Sequence, residues 1–130
     1  MALMPVLGTK GFPLDTLELA RFIVDLIEER KGEHIVLLDL RPDAIIADFF
    51  ILANGTSDRQ LRALSEYIRE GVKEKDGGRI PLSQEGTAES GWLLLDYGAV
   101  VVHLFTEEKR EYYDLHGLWS KNANILLSIQ

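Results

Sequence analysis

Cysteine is absent from this 130-residue chain, and with it go disulfides, thiolate nucleophiles and cysteine-held zinc or iron–sulfur sites. Long hydrophobic runs are also missing: the longest are of strand length, well short of a bilayer span. The opening Met-Ala-Leu-Met-Pro-Val-Leu-Gly-Thr-Lys has no basic start, no sustained apolar core and no small-residue cleavage site, so a cytoplasmic protein is expected. Basic residues are scarce, with 14 Lys and Arg against 21 Asp and Glu and a net charge of −7. Attraction to a phosphate backbone is therefore not the expected source of affinity, and a basic protein is the more natural partner.

What is present describes one soluble domain. A hydrophobic fraction of 46% and a charged fraction of 27% are ordinary for a globular chain of a length that buries a sizeable core. The strongest single signal is Gly91 to Phe105. Two apolar runs, Trp92 to Leu95 and Val100 to Phe105, flank Asp96-Tyr97-Gly98, the spacing of two antiparallel strands and a tight turn. Alternation puts Trp92, Leu94 and Asp96 on one face and Leu93, Leu95 and Tyr97 on the other. Both faces are apolar, which fits a sheet covered by helices on both sides, or covered on one side and open to a partner on the other.

Around this hairpin the chain reads in order. Residues 1–13, with Pro5, Gly8, Gly11 and Pro13, are expected to form a loose arm. Leu17, Ala20, Ile23, Val24 and Ile27 recur at helical spacing, predicting a first helix from Asp15, its N-cap, to Arg30. Strands are expected over His34 to Leu40, stopped by Arg41-Pro42, and over Asp48 to Ala53, closed by Asn54-Gly55. Thr56-Ser57-Asp58 opens a second helix with the inner stripe Leu61, Leu64, Ser65, Ile68 and Val72, ended by Asp76-Gly77-Gly78. A short edge strand near Ile80 to Leu82 and a loop to Ser90 precede the hairpin. Thr106 caps a third helix through about Leu115, and Trp119 to Leu127 forms a tail of mixed pattern. The expected fold is α/β or α+β: a single domain over 14–120, with a C-terminal tail at 121–130 and a mixed sheet of about five strands flanked by helices.

Chemistry-bearing patterns are thin. Gly55-Thr56-Ser57 at a helix entry has the form of a phosphate cradle, but no Walker lysine follows and no dinucleotide fingerprint is present, so a hydroxyl-capped turn is the plainer reading. Asp39, Asp43, Asp48 and Asp96 include no Asp-x-Asp pair on a strand, and metal catalysis is not expected. His34, His103 and His116 lack ligand spacing, and there is no Gly-x-Ser-x-Gly elbow. Trp92, Tyr97, Tyr112, Tyr113 and Trp119 fall in the last third beside Asp96, Glu107, Glu108, Glu111 and Asp114. Each aromatic alone suits a core; an aromatic surface rimmed by acid also suits recognition of a basic protein.

Several ordered blocks together carry a resemblance. Ala47-Asp48-Phe49-Phe50-Ile51-Leu52 with Gly55-Thr56-Ser57-Asp58-Arg59-Gln60, then Gly91 to Gly98, then Val100 to Phe105, then Arg110-Glu111-Tyr112-Tyr113-Asp114-Leu115 with Leu118-Trp119, are similar to the ribosomal silencing factor (Iojap, RsfS) family over about residues 15–120. The resemblance implies a small domain related in fold to nucleotidyltransferases. It implies no catalysis and no cofactor. It also implies binding to the large ribosomal subunit through that subunit's fourteenth protein, which blocks the small subunit from joining and lowers translation when nutrients are short. Carried over by motif, the contact residues are Trp92, Leu94 and Asp96, with His103, Glu111, Tyr112 and Asp48 around them. The chain departs from the family pattern at Ala99, where an acidic residue is usual, and at Leu115-His116, where a Leu-Glu pair is usual. A nucleotidyltransferase-like enzyme is the rival reading, and a homodimer through the open face is a third that need not exclude the first.

Overall fold

The computed structural model describes residues 14–41, 47–113 and 124–130, with the backbone alone at 112 and 113. Helix α1 (Thr16–Glu29) starts where the sequence directs: Asp15 Oδ1 accepts from Glu18 N at 2.8 Å and Glu18 Oε1 accepts from Asp15 N at 3.0 Å, a reciprocal cap that satisfies two free amides. Strands β1 (Glu33–Asp39) and β2 (Phe49–Gly55) follow. Helix α2 (Asp58–Lys75) begins with Ser57 Oγ accepting from Gln60 N at 3.1 Å, and it buries Leu61, Leu64, Ser65, Ile68 and Val72. Next come β3 (Ser83–Thr87), β4 (Trp92–Asp96), β5 (Val100–Thr106), the short helix α3 (Glu107–Tyr113) and β6 (Asn124–Ile129).

The strands form one mixed sheet in the order β3-β4-β5-β2-β1-β6. The β2–β5 pair is parallel and the others are antiparallel. Both long helices lie on one face, where Leu19, Ile23 and Ile27 of α1 and Leu61, Leu64 and Ile68 of α2 meet Ile35, Leu37, Phe49, Ile51, Leu93, Leu95, Val102 and Leu104. This is the main core, and its nonpolar burial is the principal stabilising term of the domain. Gln60 ties the two helices at their ends, its Nε2 donating to the carbonyls of Arg30 and Lys31 at 3.1 and 3.2 Å.

Three expectations need correction. The sheet has six strands rather than about five, because Asn124–Ile129, expected in a tail outside the domain, pairs along β1 from Ile35↔Ile129 to Asp39↔Asn124. A register shift between Leu37 and Leu38 interrupts the simple alternation of β6, and that strand is largely exposed, so its apolar pattern is weak. The edge strand near β4 is Ser83–Thr87 rather than Ile80 to Leu82: every residue of it is exposed, so nothing selects an alternating pattern there. Leu82 only donates its amide to Asp96 O at 2.7 Å, leaving its side chain 76% exposed. Asn54-Gly55 does not follow β2 but forms its last two residues, paired with Phe105 and Thr106. The expected end of α3 at Leu115, and Trp119, lie outside the described residues.

Candidate protein-docking face

The opposite face of the sheet is also apolar. Val36, Leu38 and Leu40 from β1 and its end, Phe50 and Leu52 from β2, and Val101 and Phe105 from β5 form a second buried cluster, with Trp92 and Leu94 of β4 packed half-buried at its margin. The alternation read from the sequence is realised here: Leu93, Leu95 and Tyr97 enter the main core under α2, while Trp92, Leu94 and Asp96 face the other way and are only partly covered. Trp92 and Tyr97, grouped together by sequence position, are therefore on opposite sides of the sheet.

Cross-strand register brings His103 to this row. It stands opposite Leu94, and Trp92 Nε1 donates to its Nδ1 at 3.4 Å. Its ring lies 4.8 Å from the Phe50 ring and stacks with Phe105 at 6.1 Å. With 5% of its surface exposed, burial pushes its pKa down to about 4, so the ring is neutral near pH 7 and its proton resides on Nε2 while Nδ1 accepts. That Nε2 finds no acceptor. His103 thus lies beneath Trp92, and Trp92 and Leu94 are the less buried side chains of the row.

Asp96 ends the row at the hairpin turn. Its Oδ1 accepts from Gly98 N at 2.7 Å, and Gly98 has φ 90°, so the carboxylate shapes the turn. Asp48 lies at the same end, just before β2, fixed by Asp48 N donating to Ala99 O and Leu40 N donating to Asp48 O, both at 2.8 Å. Nearby, Arg41 grips Asp39 with Nε and Nη2 at 2.9 and 2.8 Å, which holds the Asp39 carboxyl below its ordinary range. Glu111 is exposed on α3, which leaves from the far end of β5; the Tyr112 side chain lies outside the described residues. The structure therefore gathers Trp92, Leu94, Asp96 and His103 on one face, sets Asp48 at its turn end, and sets Glu111 at the opposite end.

Two contributors escaped the sequence reading. Glu85 of β3 pairs with Leu94 and so lies on the same face, adding a carboxylate beside the apolar row. Arg110 fastens α3 to the sheet, its Nη1 donating to His34 O at 2.7 Å and to Asn54 Oδ1 at 2.8 Å. Glu85 belongs to no quoted block and is placed only by strand register, whereas Arg110 opens the Arg110–Leu115 block but its tie to the sheet shows only in the packing of α3. Among the described residues, no three His, Asp or Glu side chains gather into a metal-binding set.

Comparison with known proteins bears on what this face is for. The family model described as ribosomal silencing factor during starvation matches residues 13–130. The chain belongs to the ribosomal silencing factor family. It is 35% identical to a ribosomal silencing factor of Halalkalibacterium halodurans over 85% of this chain and 92% of that one. Its identity to the Bacillus subtilis ribosomal silencing factor is 36% over 71% and 76% of the two chains. A mouse protein named for mitochondrial assembly of the ribosomal large subunit is 31% identical, covering 75% of this chain but 43% of its own length. Among solved structures, a Chromobacterium violaceum protein superposes with a TM-score of 0.76 at 32% identity, covering 82% of this chain and 88% of that one.

Proposed function

We propose that this family member represses translation by docking on the large ribosomal subunit, through that subunit's fourteenth protein, and excluding the small subunit sterically. It acts in the cytoplasm, without catalysis, as a competitor for surface. The observation that carries the reading is the row Trp92, Leu94 and Asp96: two half-buried apolar side chains and a carboxylate on a sheet face away from both long helices, in a chain with a net charge of −7. Large apolar anchors flanked by acid are suited to a basic protein surface. Asp48, Glu85 and the exposed Glu111 supply further negative charge at the margins, and Tyr112 is assigned to the same contact.

The test is co-sedimentation of the protein with separated large subunits, separated small subunits and intact ribosomes, followed by a subunit-joining assay. Selective binding to the large subunit, with joining suppressed in proportion to occupancy, is the expected result. Trp92→Ala should weaken that binding by about 2 kcal/mol, roughly 30-fold. Binding to neither subunit, or binding that leaves joining untouched, would overturn the proposal.

A further inference from the structure

On the helix-covered side of the sheet, away from Trp92, a cavity of about 200 Å³ opens between α2 and the β3–β4 hairpin. Ser65 and Arg69 line its helix wall, and Gln84 and Leu93 line the hairpin wall. Ser65 and Arg69 are four residues apart and so share one stripe of α2. Each carries a buried donor with no acceptor: the Ser65 hydroxyl, on a residue 2% exposed, and the Arg69 Nε–H. A serine inside a helix commonly returns its hydroxyl to the carbonyl four residues back; this one does not.

The surrounding charges leave Arg69 available. Among the described residues, the ion pairs join Arg41 to Asp39, Arg62 to Glu89 and Arg79 to Asp76. The Arg62–Glu89 pair lies on the same cavity, so Glu89 is already neutralised, and Arg69 is left without a carboxylate. The buried Tyr97 hydroxyl within electrostatic reach of Arg69 also lacks a partner; burial pushes its pKa to about 12, so it remains a protonated phenol and does not act as a counter-ion.

We propose that this cavity binds a small oxyanion, a phosphate or carboxylate group, held by the Arg69 guanidinium edge and the Ser65 hydroxyl. The guanidinium presents parallel N–H groups that match two oxygens of such a group, and an oxyanion supplies acceptors only, which is what two orphan donors require. Glu66 on the rim opposes accumulation of negative charge and selects a small group over a polyanion. The cavity continues into a wider groove through the shared residues Glu66, Arg69 and Gln84, and Lys73, Ile80 and Pro81 line that extension, so an organic body attached to the anion has somewhere to lie.

The experiment titrates inorganic phosphate, and separately acetate, into the full chain at constant ionic strength, with the Arg69 Nε–H and backbone amide resonances followed by ¹⁵N NMR. A saturable shift centred on Ser65, Arg69 and Leu93 is expected, and the two arms decide whether phosphate or carboxylate is preferred. Arg69→Lys keeps the charge but loses the forked edge and should weaken binding about tenfold. Ser65→Ala should weaken it about threefold, with the amide spectrum showing an intact fold. Arg59→Lys, an exposed change on the same helix, should leave binding as it was. A linear drift shared with chloride, or saturable binding undiminished in both Arg69→Lys and Ser65→Ala, would overturn the proposal. Large-subunit co-sedimentation of these variants should be unchanged, so this site and the docking face fail or stand separately.

Discussion

Neutralising His103 permanently should flatten part of the acid sensitivity of folding. The ring is 5% exposed and packed among Phe50, Phe105 and Trp92, and burial carries its pKa from 6.5 to about 4. Because the native pKa is lowered, the sign is definite. Above pH 6.5 neither state holds the proton and the contribution is complete; between 6.5 and 4 the unfolded chain takes up a proton that the native state refuses, and stability is lost. At roughly 1.4 kcal/mol per pH unit the whole interval amounts to about 3 kcal/mol, of which about 2.5 kcal/mol is lost by pH 4.5. His103→Gln provides the comparison, since an amide oxygen still accepts from the Trp92 indole and does not titrate. Urea unfolding followed by circular dichroism at pH 7.5, 5.5 and 4.5 gives both stability curves. Other acid-labile groups, such as Asp39 held low by Arg41, act in both proteins and cancel in the difference. Stability of wild type relative to the variant should fall by about 2.5 kcal/mol between pH 7.5 and 4.5. A change under about 0.5 kcal/mol would mean that the native imidazole titrates like a solvated one, and would refute the burial of the face around Trp92.

Three further outcomes follow from single contacts. Asp96→Asn keeps the acceptor for Gly98 N and should leave stability unchanged while weakening large-subunit binding in a salt-dependent way; Asp96→Ala should in addition cost about 1 kcal/mol in urea unfolding. Gly86 has φ 76°, and a Cβ there would lie 2.2 Å from Trp92 O, so Gly86→Ala should destabilise by more than about 2 kcal/mol, read as a lower unfolding midpoint. Arg110→Met retains the stem but leaves the Asn54 side chain, on a residue 4% exposed, without its donor; about 1–3 kcal/mol should be lost, with faster amide exchange in α3.

Legibility in the sequence tracked burial. The inner stripe of α2 was readable residue by residue, because one face of that helix is dry and the other wet; the cap Asp15 and the opening Thr56-Ser57-Asp58 were readable because such oxygens meet free amides, and the structure selects Ser57. The alternation of Trp92, Leu94 and Asp96 against Leu93 and Leu95 was equally plain, since β4 separates two different environments. Both outer strands were misread for the converse reason. Ser83–Thr87 is wholly exposed and Asn124–Ile129 nearly so, and an edge held mainly by backbone hydrogen bonds leaves little mark on side-chain choice. The orphan donors of Ser65 and Arg69 were invisible in the same way: the helical period placed Ser65 inside, but only the packed hairpin opposite shows that its hydroxyl finds nothing to bond.

The position of β1 between β2 and β6 also dictates a timetable for folding. One side of β1 can be satisfied as soon as residues 49–55 are made, yet the other waits for residues 124–129, so that Ile35 meets Ile129 across most of the sequence. During synthesis the nascent sheet must therefore carry a strand with five buried residues and one unpaired edge until the last strand arrives. Such long-range closure raises the contact order and slows the final step. A nascent chain stalled before residue 124 would present that open edge to neighbouring chains, making the late-arriving strand a guard against aggregation as well as a part of the sheet.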